Sequence, residues 1–381
     1  MFHLLIFLFF TVAIATKVPL DQGSSLIHAD HWLKNGLPGQ PSSGVNFKQC
    51  AGEITVDHTA GRALFYYFVE SVTNSSTNPL ILWLNGEGAL TEIGPFGVNP
   101  DGQTLYSREF AWNKVANVLF LESPAGVGFS YSNTTSDYNT TGDQRTAEDT
   151  YIFLMKWFEL YPTFKGRDFY LIGESYAGYY IPELADIILE NVKNSRDLNP
   201  MINLQGIMIG NGVIDDESFQ RGAIDFLWSH ALVSQENRDD FSQNCFGGTF
   251  GTPPCREAYE RLKLVMHDIN VFNLYSPMCE PSLINHPPTN KSHPCDLLYV
   301  QSYLNLPKVQ AALNANRTKL PYTWTPCKVW LQNSGYSADF SAISRQDCLS
   351  EKSAVNSASN SVNCQSTAVK RRSTAVNGNQ A

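Results

Sequence analysis

A serine framed by small residues follows an apolar run in the segment Phe169-Tyr-Leu-Ile-Gly-Glu-Ser-Tyr-Ala-Gly178. The apolar run predicts a buried strand, and the sequence after Gly178 predicts a helix. Because residues 173 and 177 are small, a sharp turn between the two elements can display a serine hydroxyl above a sheet. We therefore predict that Ser175 is a nucleophile and that the backbone N–H of Tyr176 stabilises an oxyanion. The alternative is an ordinary turn in which the serine caps the helix.

Strands and helices alternate on both sides of this segment. Residues 143–160 have the period of a helix, with Ala147, Tyr151, Leu154, Trp157 and Phe158 on one face. The alternation predicts an α/β fold built on a doubly wound, mostly parallel sheet, with the active groups at the carboxyl ends of the strands. The predicted strands, of which the first two form a hairpin, are Ile54–Val56, Ala63–Val69, Leu80–Leu84, Val115–Leu121, Phe169–Ile172 and Leu204–Ile209.

The pattern changes along the chain and suggests a division into five parts. The alternation stops after residue 212, where helical patterns and closely spaced cysteines begin, and the last segment is rich in Ser, Asn, Ala and Val. Such a composition cannot bury a core. We predict a signal peptide (1–15), an α/β core (30–212), an inserted helical cap (213–300), a partial return to the core (301–330) and a divergent, disordered tail (331–381).

Composition excludes several classes of protein. The 381 residues are 43% hydrophobic and 17% charged, which is enough apolar material for a core. The formal net charge is −9, and the sole basic cluster is Lys370-Arg-Arg372, so a nucleic-acid partner is not expected. After residue 15 no stretch approaches the ~20 apolar residues of a membrane span. Nothing in the sequence indicates a cofactor.

The first fifteen residues predict entry into the secretory pathway. They form an apolar block that ends in Ala13-Ile14-Ala15, as a cleaved signal peptide does, although a buried helix or a membrane anchor is the alternative. We expect an extracellular or vacuolar protein that does not contact the membrane after cleavage. Glycosylation sequons in polar surroundings agree with this expectation, and they begin at Asn74, Asn133, Asn139, Asn290 and Asn316.

Eight cysteines, an even number, suit an oxidising compartment. The short spacings predict two local disulfides, Cys245 with Cys255 and Cys279 with Cys295. Zinc is the alternative for these four, but no Cys-x-x-Cys occurs and the nearby histidines lie in a Pro-rich loop. We therefore expect no metal. No partner is evident for Cys50, Cys327, Cys348 and Cys364.

Six motifs together resemble the successive signatures of serine carboxypeptidases. The likeness is greatest to the hydrolase-like group of plant serine-carboxypeptidase-like proteins, and it extends from about residue 30 to Cys327. It implies an α/β-hydrolase fold with a helical cap and removal of C-terminal residues from peptides by a Ser-Asp-His triad. Some members of this family transfer acyl groups from glucose esters instead. The motifs are Leu82-Trp-Leu-Asn-Gly86, Gly94-Pro-Phe96, Ala111-Trp-Asn113, Glu122-Ser-Pro-Ala-Gly-Val-Gly-Phe-Ser-Tyr-Ser132, Gly166-Arg-Asp-Phe-Tyr170 and Gly173-Glu-Ser-Tyr-Ala-Gly178.

The resemblance also implies a site for the substrate's terminal carboxylate. It assigns Asn85, Gly86 and Glu174 to this site, with Glu92 as a second acid, although Glu92 could equally be an ordinary surface residue. Two clustered carboxyl groups oppose each other's ionisation, so one can stay protonated and donate to the substrate, which favours acidic pH. The expected partners are peptides with a free C-terminus, and the resemblance is compatible with a homodimer.

Two departures from the family pattern predict impaired catalysis. The segment after Gly86 is shorter than the family's, and the shortening removes an oxyanion glycine together with the cysteine that would pair with Cys327. The family's Ser-Gly-Asp and Gly-His segments are also missing, and the last histidine is His293. Four histidines could be offered as bases, but none follows a strand at the expected place; these are His230, His267, His286 and His293.

The same departures suggest that the chain is truncated. We expect the final strands of the sheet to be missing, so that an interior strand becomes an exposed edge. An alternative to the enzymatic functions is a secreted pseudoenzyme that binds peptide C-termini without cleaving them.

Overall fold

A computed structural model of the protein describes residues 31–85, 88–195, 200–249, 251–270, 273–279 and 294–325. The predicted signal peptide and tail lie outside these ranges. Individual residues of the predictions that also lie outside them are Gly86, His286, Asn290, His293, Cys327, Cys348 and Cys364.

Nine strands and eight α-helices are present in the described residues. The strands are β1 (Gln49–Asp57), β2 (Arg62–Val69), β3 (Leu80–Leu84), β4 (Phe96–Val98), β5 (Leu105–Ser107), β6 (Asn117–Leu121), β7 (Tyr131–Ser132), β8 (Asp168–Glu174) and β9 (Asn203–Gly210). The helices are α1 (Asp137–Thr140), α2 (Asp143–Leu160), α3 (Ala177–Ser195), α4 (Asp216–Ser229), α5 (Gln235–Cys245), α6 (Pro253–Met266), α7 (Asp296–Leu304) and α8 (Pro307–Ala312). Short 3₁₀ helices span Trp112–Lys114 and Pro162–Phe164.

The central sheet has the strand order β1-β2-β6-β3-β8-β9, with β7 also pairing with β2. The strands β6, β3, β8 and β9 run parallel, and β1 and β2 are antiparallel at one side. In the register of β3 against β8, Leu84 lies opposite Gly173. The residues that follow Leu84 and Gly173 are therefore neighbours at the carboxyl end of the sheet.

Both faces of the sheet are covered by hydrophobic cores. One core contains side chains of α2 and α3, such as Trp157 and Ile181, and the other contains side chains of α7 and α8, such as Tyr303 and Val309. Every residue of β3 is buried. A strand covered on both faces must be apolar at every position, which is why its sequence does not alternate.

The predicted α/β class is confirmed, and the structure is mixed but mostly parallel. The hairpin, the strand Leu80–Leu84 and the helix over 143–160 form where the sequence predicts them. Four of the five residues on the predicted face of that helix are buried, and Tyr151 packs partly buried against the same core. These elements were predictable because each kind of burial has its own sequence pattern. A strand buried on both faces is a continuous apolar run, whereas a helix buried on one side has apolar residues three or four positions apart.

The helices α4, α5 and α6 pack around a core of their own. This core includes Ile224, Phe241 and Met266. The structure contains a disulfide between Cys245 and Cys255 within it, so these residues do not form the alternative zinc site. A second disulfide joins Cys279 to Cys295. The proposed division of the chain into core, cap and return segment remains a prediction.

Cys50 is a free, fully buried thiol. Burial raises its pKa to about 12, against the weaker opposing effect of hydrogen bonds with Tyr161 and Tyr66. A thiol held protonated in this way is unreactive.

The strand β9 is the open edge of the sheet in the described part of the chain. It bonds to β8 on one side, and it has no strand neighbour on the other. Ile207 and Met208 are 44% and 50% exposed, which is unusual for apolar residues of an α/β sheet.

A buried ionic network joins the hairpin to the helices beside it. Arg62, which begins β2, is 7% exposed. Its Nε lies 2.7 Å from Asp149 Oδ2 on α2, and its Nη1 lies 2.6 Å from Asp137 Oδ2 on α1. Arg145 also bonds to Asp137, at 2.9 Å, from a more exposed position. Arg62 is therefore the main counter-charge for two acids beneath the protein surface.

Candidate active site

Ser175 occupies the tight turn between β8 and α3 with a backbone φ of 58°. A non-glycine residue rarely adopts this left-handed conformation, and it costs conformational energy. The turn is bonded to the end of β9, since Ser175 N donates to Gly210 O and Val213 N donates to Ser175 O, both at 3.0 Å. These bonds hold the strained residue in place. The side chain is half-buried at the carboxyl end of the sheet.

Close packing explains why the residues around the serine are small. A Cβ added at Gly173 would lie 2.3 Å from Leu84 O and 2.7 Å from the Cβ of Ala177. A Cβ at Gly178 would lie 2.3 Å from Val213 O. A larger residue at either glycine would push the turn away from β3 or from the segment after β9.

The amino end of α3 lies directly behind the serine. Tyr176 separates Ser175 from the first residue of this helix, so its backbone N–H belongs to the positive end of the helix dipole. The ring of Tyr176 packs against those of Tyr179 and Tyr180, each with centroids 5.0 Å away. The Tyr179 hydroxyl donates to Asp216 Oδ1 at 2.8 Å, which links these three packed tyrosines to α4.

The structure brings together Asn85, Glu92 and Glu174, which we call the carboxyl group cluster. Asn85 Nδ2 donates to Glu92 Oε1 at 2.9 Å and to Glu174 Oε2 at 3.1 Å. Asn85 and Glu174 meet because Asn85 directly follows β3 and Glu174 is the last residue of the adjacent parallel strand β8. Glu92 reaches them from the loop between β3 and β4. Since Glu174 precedes the serine directly, the cluster borders the predicted nucleophile.

Both acids of the cluster have raised pKa values. Burial is the largest cause of the rise of the Glu92 pKa to about 7, and the charge of Glu174 is the second, although the side chain remains exposed at its outer edge. Burial also raises the pKa of Glu174. The expected mutual repulsion is therefore a smaller cause than desolvation. Near neutral pH the cluster can still hold a protonated carboxyl group, which is able to donate a hydrogen bond.

None of the four described histidines is bonded to the Ser175 hydroxyl, and this hydroxyl has no hydrogen-bond partner among the described residues. His31 bonds instead to Tyr66 in the core, at 2.7 Å. His230 bonds to Phe226 O at the end of α4, and His267 pairs with the neighbouring Asp268. His58 lies beside Lys156. The described residues also contain no cluster of three or more His, Cys, Asp or Glu that could hold a metal ion.

Sequence reasoning missed a guanidinium beside the cluster. Arg108 bonds to the main chain of the loop that carries Glu92, and its charge opposes the rise of the Glu92 pKa. No spacing or motif marks this residue, because the hairpin β4–β5 brings it back to the loop only in the folded chain.

A serine at positive φ between a central parallel strand and a helix is an arrangement typical of the α/β-hydrolase fold. The serine carboxypeptidase family matches residues 38–358, past the point at Cys327 where the motif resemblance ends. The chain belongs to the serine carboxypeptidase family.

Similar proteins cover most of the chain. It is 47% identical over 308 residues to serine carboxypeptidase-like 40 of Arabidopsis thaliana, an alignment of 76% of this chain and 60% of that protein. It is 45% identical to serine carboxypeptidase-like 26 of the same plant, over 76% of this chain and 68% of that protein. The chain therefore spans somewhat under two thirds of the first relative's length.

A solved structure has a similar fold. The Kex1Δp prohormone-processing carboxypeptidase from Saccharomyces cerevisiae superposes with a TM-score of 0.64 at 24% identity, over 82% of this chain and 73% of that chain.

In the described part of the protein, no helix combines the length and apolar character needed to cross a membrane.

Proposed function

We propose that the protein binds peptides with a free C-terminus, that the carboxyl group cluster holds the terminal carboxylate, and that Ser175 is the nucleophile of a carboxypeptidase reaction. The observation that carries this proposal is the pair of hydrogen bonds from Asn85 to Glu92 and to Glu174. Glu174 directly precedes Ser175 in the chain. Ligand binding would release one Asn85 N–H from a glutamate, and this N–H and a protonated carboxyl group would both donate to the carboxylate. Neither is a permanent positive charge, so the site recognises a chain end through directed hydrogen bonds.

The chemistry follows from the order of the groups along the sheet edge. Ser175 directly follows Glu174, which bonds to Asn85. With the terminal carboxylate bound at Asn85, the carbonyl of the last peptide bond would therefore lie near Ser175. Attack by Ser175 Oγ would form an ester and release the C-terminal amino acid, and water would then hydrolyse the ester. The backbone N–H of Tyr176 and the helix end would stabilise the oxyanion. A base must remove the hydroxyl proton, and the described residues supply none.

A specific observation favours a second candidate, a binding protein that does not cleave. The Ser175 hydroxyl lacks a hydrogen-bonded base in the described residues, whereas the cluster that would bind a carboxylate is complete apart from Gly86, which lies outside them. Binding and cleavage therefore need separate tests. Assays with peptides and with glucose esters would separate peptidase activity from the acyl transfer known in the family.

We expect the substitution Asn85→Ala to weaken the binding of a free-acid peptide about 10- to 100-fold, because a hydrogen bond to a charged group contributes ~1.5–3 kcal/mol. The measurement is isothermal titration calorimetry with a short free-acid peptide and with the peptide of the same sequence that has an amidated C-terminus. Asn191→Ala is a matched control, since among the described residues the Asn191 amide bonds within its own helix, to Ile187 O at 2.8 Å. Equal binding of the acid and amidated peptides by the unaltered protein would refute the proposal.

We also expect the affinity for the free-acid peptide to fall as pH rises. Glu92 is protonated below its pKa of about 7 and can donate to the ligand, whereas its ionised form repels a carboxylate. Between pH 6 and pH 8 the affinity should decrease about tenfold. Glu92→Gln keeps a donor at every pH and should flatten the profile. An affinity that stays constant or rises over this range would contradict the assignment of Glu92.

The proposed location is the secretory pathway, with an extracellular or vacuolar destination. The two disulfides suit an oxidising compartment. Asn74, Asn133 and Asn139 have exposed side chains and could accept glycans. Asn316 is less suited, since its amide already donates to Gln310 Oε1 at 2.9 Å.

A further inference from the structure

The loop that carries Glu92 is a compact turn. Ile93 N and Gly94 N both donate to Gly88 O, at 3.1 and 3.2 Å. The turn requires glycine at position 94, where a Cβ would lie 1.9 Å from Ala89 O. Glu92 itself stands at the exposed outer side of this turn. The turn bonds shape the loop, but they do not attach it to the elements around the site.

Arg108 makes an attachment of this kind, beside the bond from Trp112 N to Ile93 O at 2.9 Å. It directly follows β5, and its guanidinium donates from Nη2 to Leu90 O at 2.7 Å and from Nε to Phe96 O at 3.0 Å. One planar group thus bonds to the main chain on both sides of Glu92. The guanidinium also lies over the ring of Tyr106, 5.8 Å from its centroid, and the Arg108 N–H donates to Pro95 O. These contacts restrain the guanidinium from the hairpin side.

We propose that Arg108 is a positioning residue that holds Glu92 in place for the binding of a peptide's terminal carboxylate. The proposal rests on the proposed function of the carboxyl group cluster. Arg108 acts through Glu92 and makes no contact with the ligand in this arrangement. A lysine cannot replace it fully, because an ammonium group has no planar fork that reaches two carbonyl groups at fixed spacing.

Arg108 also affects the titration of Glu92. The charged and polar side chains that face Glu92 come from the ends of three strands. They are Glu174 at the end of β8, Trp83 in β3, Asn85 directly after β3 and Arg108 directly after β5. The positive charge of Arg108 favours the ionised form of Glu92, against burial and Glu174. Replacing Arg108 with an uncharged residue therefore raises the pH at which half of the binding is lost. Replacing it with lysine keeps the charge, so this pH midpoint stays nearly unchanged.

The experiment compares Arg108→Met with Arg108→Lys by calorimetry, using the free-acid and amidated peptides from pH 5 to pH 9. We expect Arg108→Met to weaken free-acid binding at least tenfold and to raise the pH midpoint. Arg108→Lys should also weaken binding but keep the midpoint of the unaltered protein. Neither variant should change the weak binding of the amidated peptide.

Arg167→Met is the matched control. Arg167 likewise bonds main-chain carbonyl groups, among them Ser76 O at 2.6 Å and Asn78 O at 3.2 Å. It precedes β8, so it lies about 20 Å from the site by the length of that strand. Its loss should lower stability without changing the peptide affinity or the pH midpoint.

The outcomes separate the two proposals. If the unaltered protein binds acid and amidated peptides equally, the proposed function fails, and this inference fails with it. If Asn85→Ala abolishes discrimination while Arg108→Met keeps both the affinity and the midpoint, the role of Arg108 alone is refuted. It is also refuted if Arg108→Met weakens both peptides equally, because that result indicates general damage to the fold.

Discussion

The Ser175 hydroxyl should react with a fluorophosphonate on the order of 10⁶ times more slowly than the serine of a complete triad, because loss of the general base has a cost of that size in a serine protease. The elbow presents the hydroxyl, but it does not deprotonate it. No described residue hydrogen-bonds to this hydroxyl. The rate of covalent labelling can be followed by intact-protein mass spectrometry, with a serine hydrolase that has all three triad residues as the positive control.

The Ser175→Ala variant tests whether any slow labelling belongs to this serine. We expect the variant to stay unlabelled and to bind the free-acid peptide as well as the unaltered protein, because the carboxyl group cluster does not use the hydroxyl. Added imidazole should accelerate labelling of the unaltered protein if the missing element is a base. Rapid labelling at Ser175 without imidazole would show that a base reaches the hydroxyl and would overturn the expected impairment.

Arg62→Met should lower the free energy of unfolding by about 3–5 kcal/mol, which is typical when one partner of a buried ion pair is removed. The methionine would fill much of the same volume but leave Asp149 and Asp137 without their main counter-charge. Burial already raises the pKa of Asp149, so this acid depends on Arg62 to remain ionised. Urea denaturation at pH 7, followed by circular dichroism, measures the change.

Arg145→Met is the control for this network. Arg145 bonds to the same Asp137 but is 29% exposed at its side chain, and an ion pair so close to solvent contributes about 1 kcal/mol or less. We therefore expect a small loss of stability for this variant. A loss for Arg62→Met no larger than that for Arg145→Met would mean that water or the surrounding dipoles, and not the guanidinium, compensate the two acids.

The separation of binding from chemistry has a structural basis. The carboxyl group cluster depends on the ends of β3 and β8 in the central sheet and on the loop between β3 and β4. A general base has to reach the serine from another element. In the proposed function, the groups that bind the carboxylate can therefore be in place while Ser175 has no base.

Among the described strands, β9 stands at the edge of the central sheet. Ile207 and Met208 are exposed on adjacent positions of the strand, hence on opposite faces of the sheet. Unpaired strand edges with apolar side chains favour association between chains.

Much of the fold could be read from local pattern. The strand Leu80–Leu84 has the same bounds in the sequence and in the structure, because a strand buried on both faces is a continuous apolar run between turn residues. The helix Asp143–Leu160 is likewise evident from its period. The turn was predictable because small residues on both sides of a serine reflect a steric requirement of the turn itself. At Gly173 an added Cβ would lie too close to Leu84 O and to the Cβ of Ala177, so there is no space for a side chain.

The electrostatics of the site were not predictable in this way. A local sequence cannot indicate that burial exceeds the charge of Glu174 in raising the Glu92 pKa, since both effects depend on which atoms surround the carboxyl group. The same is true of Arg108, which lies sixteen positions after Glu92 and returns to it through the hairpin β4–β5.

Steric and burial constraints are short-range, so the order of the residues alone specified the apolar strands, the amphipathic helix and the tight turn at Ser175. Charge and hydrogen-bond partnerships join residues far apart in the chain. The meeting of Asn85 with Glu174 depends on the parallel register of β3 and β8, and the anchoring of Glu92 depends on a hairpin. These contacts exist only after the strands have paired, because pairing is what brings distant side chains within a few ångströms of one another.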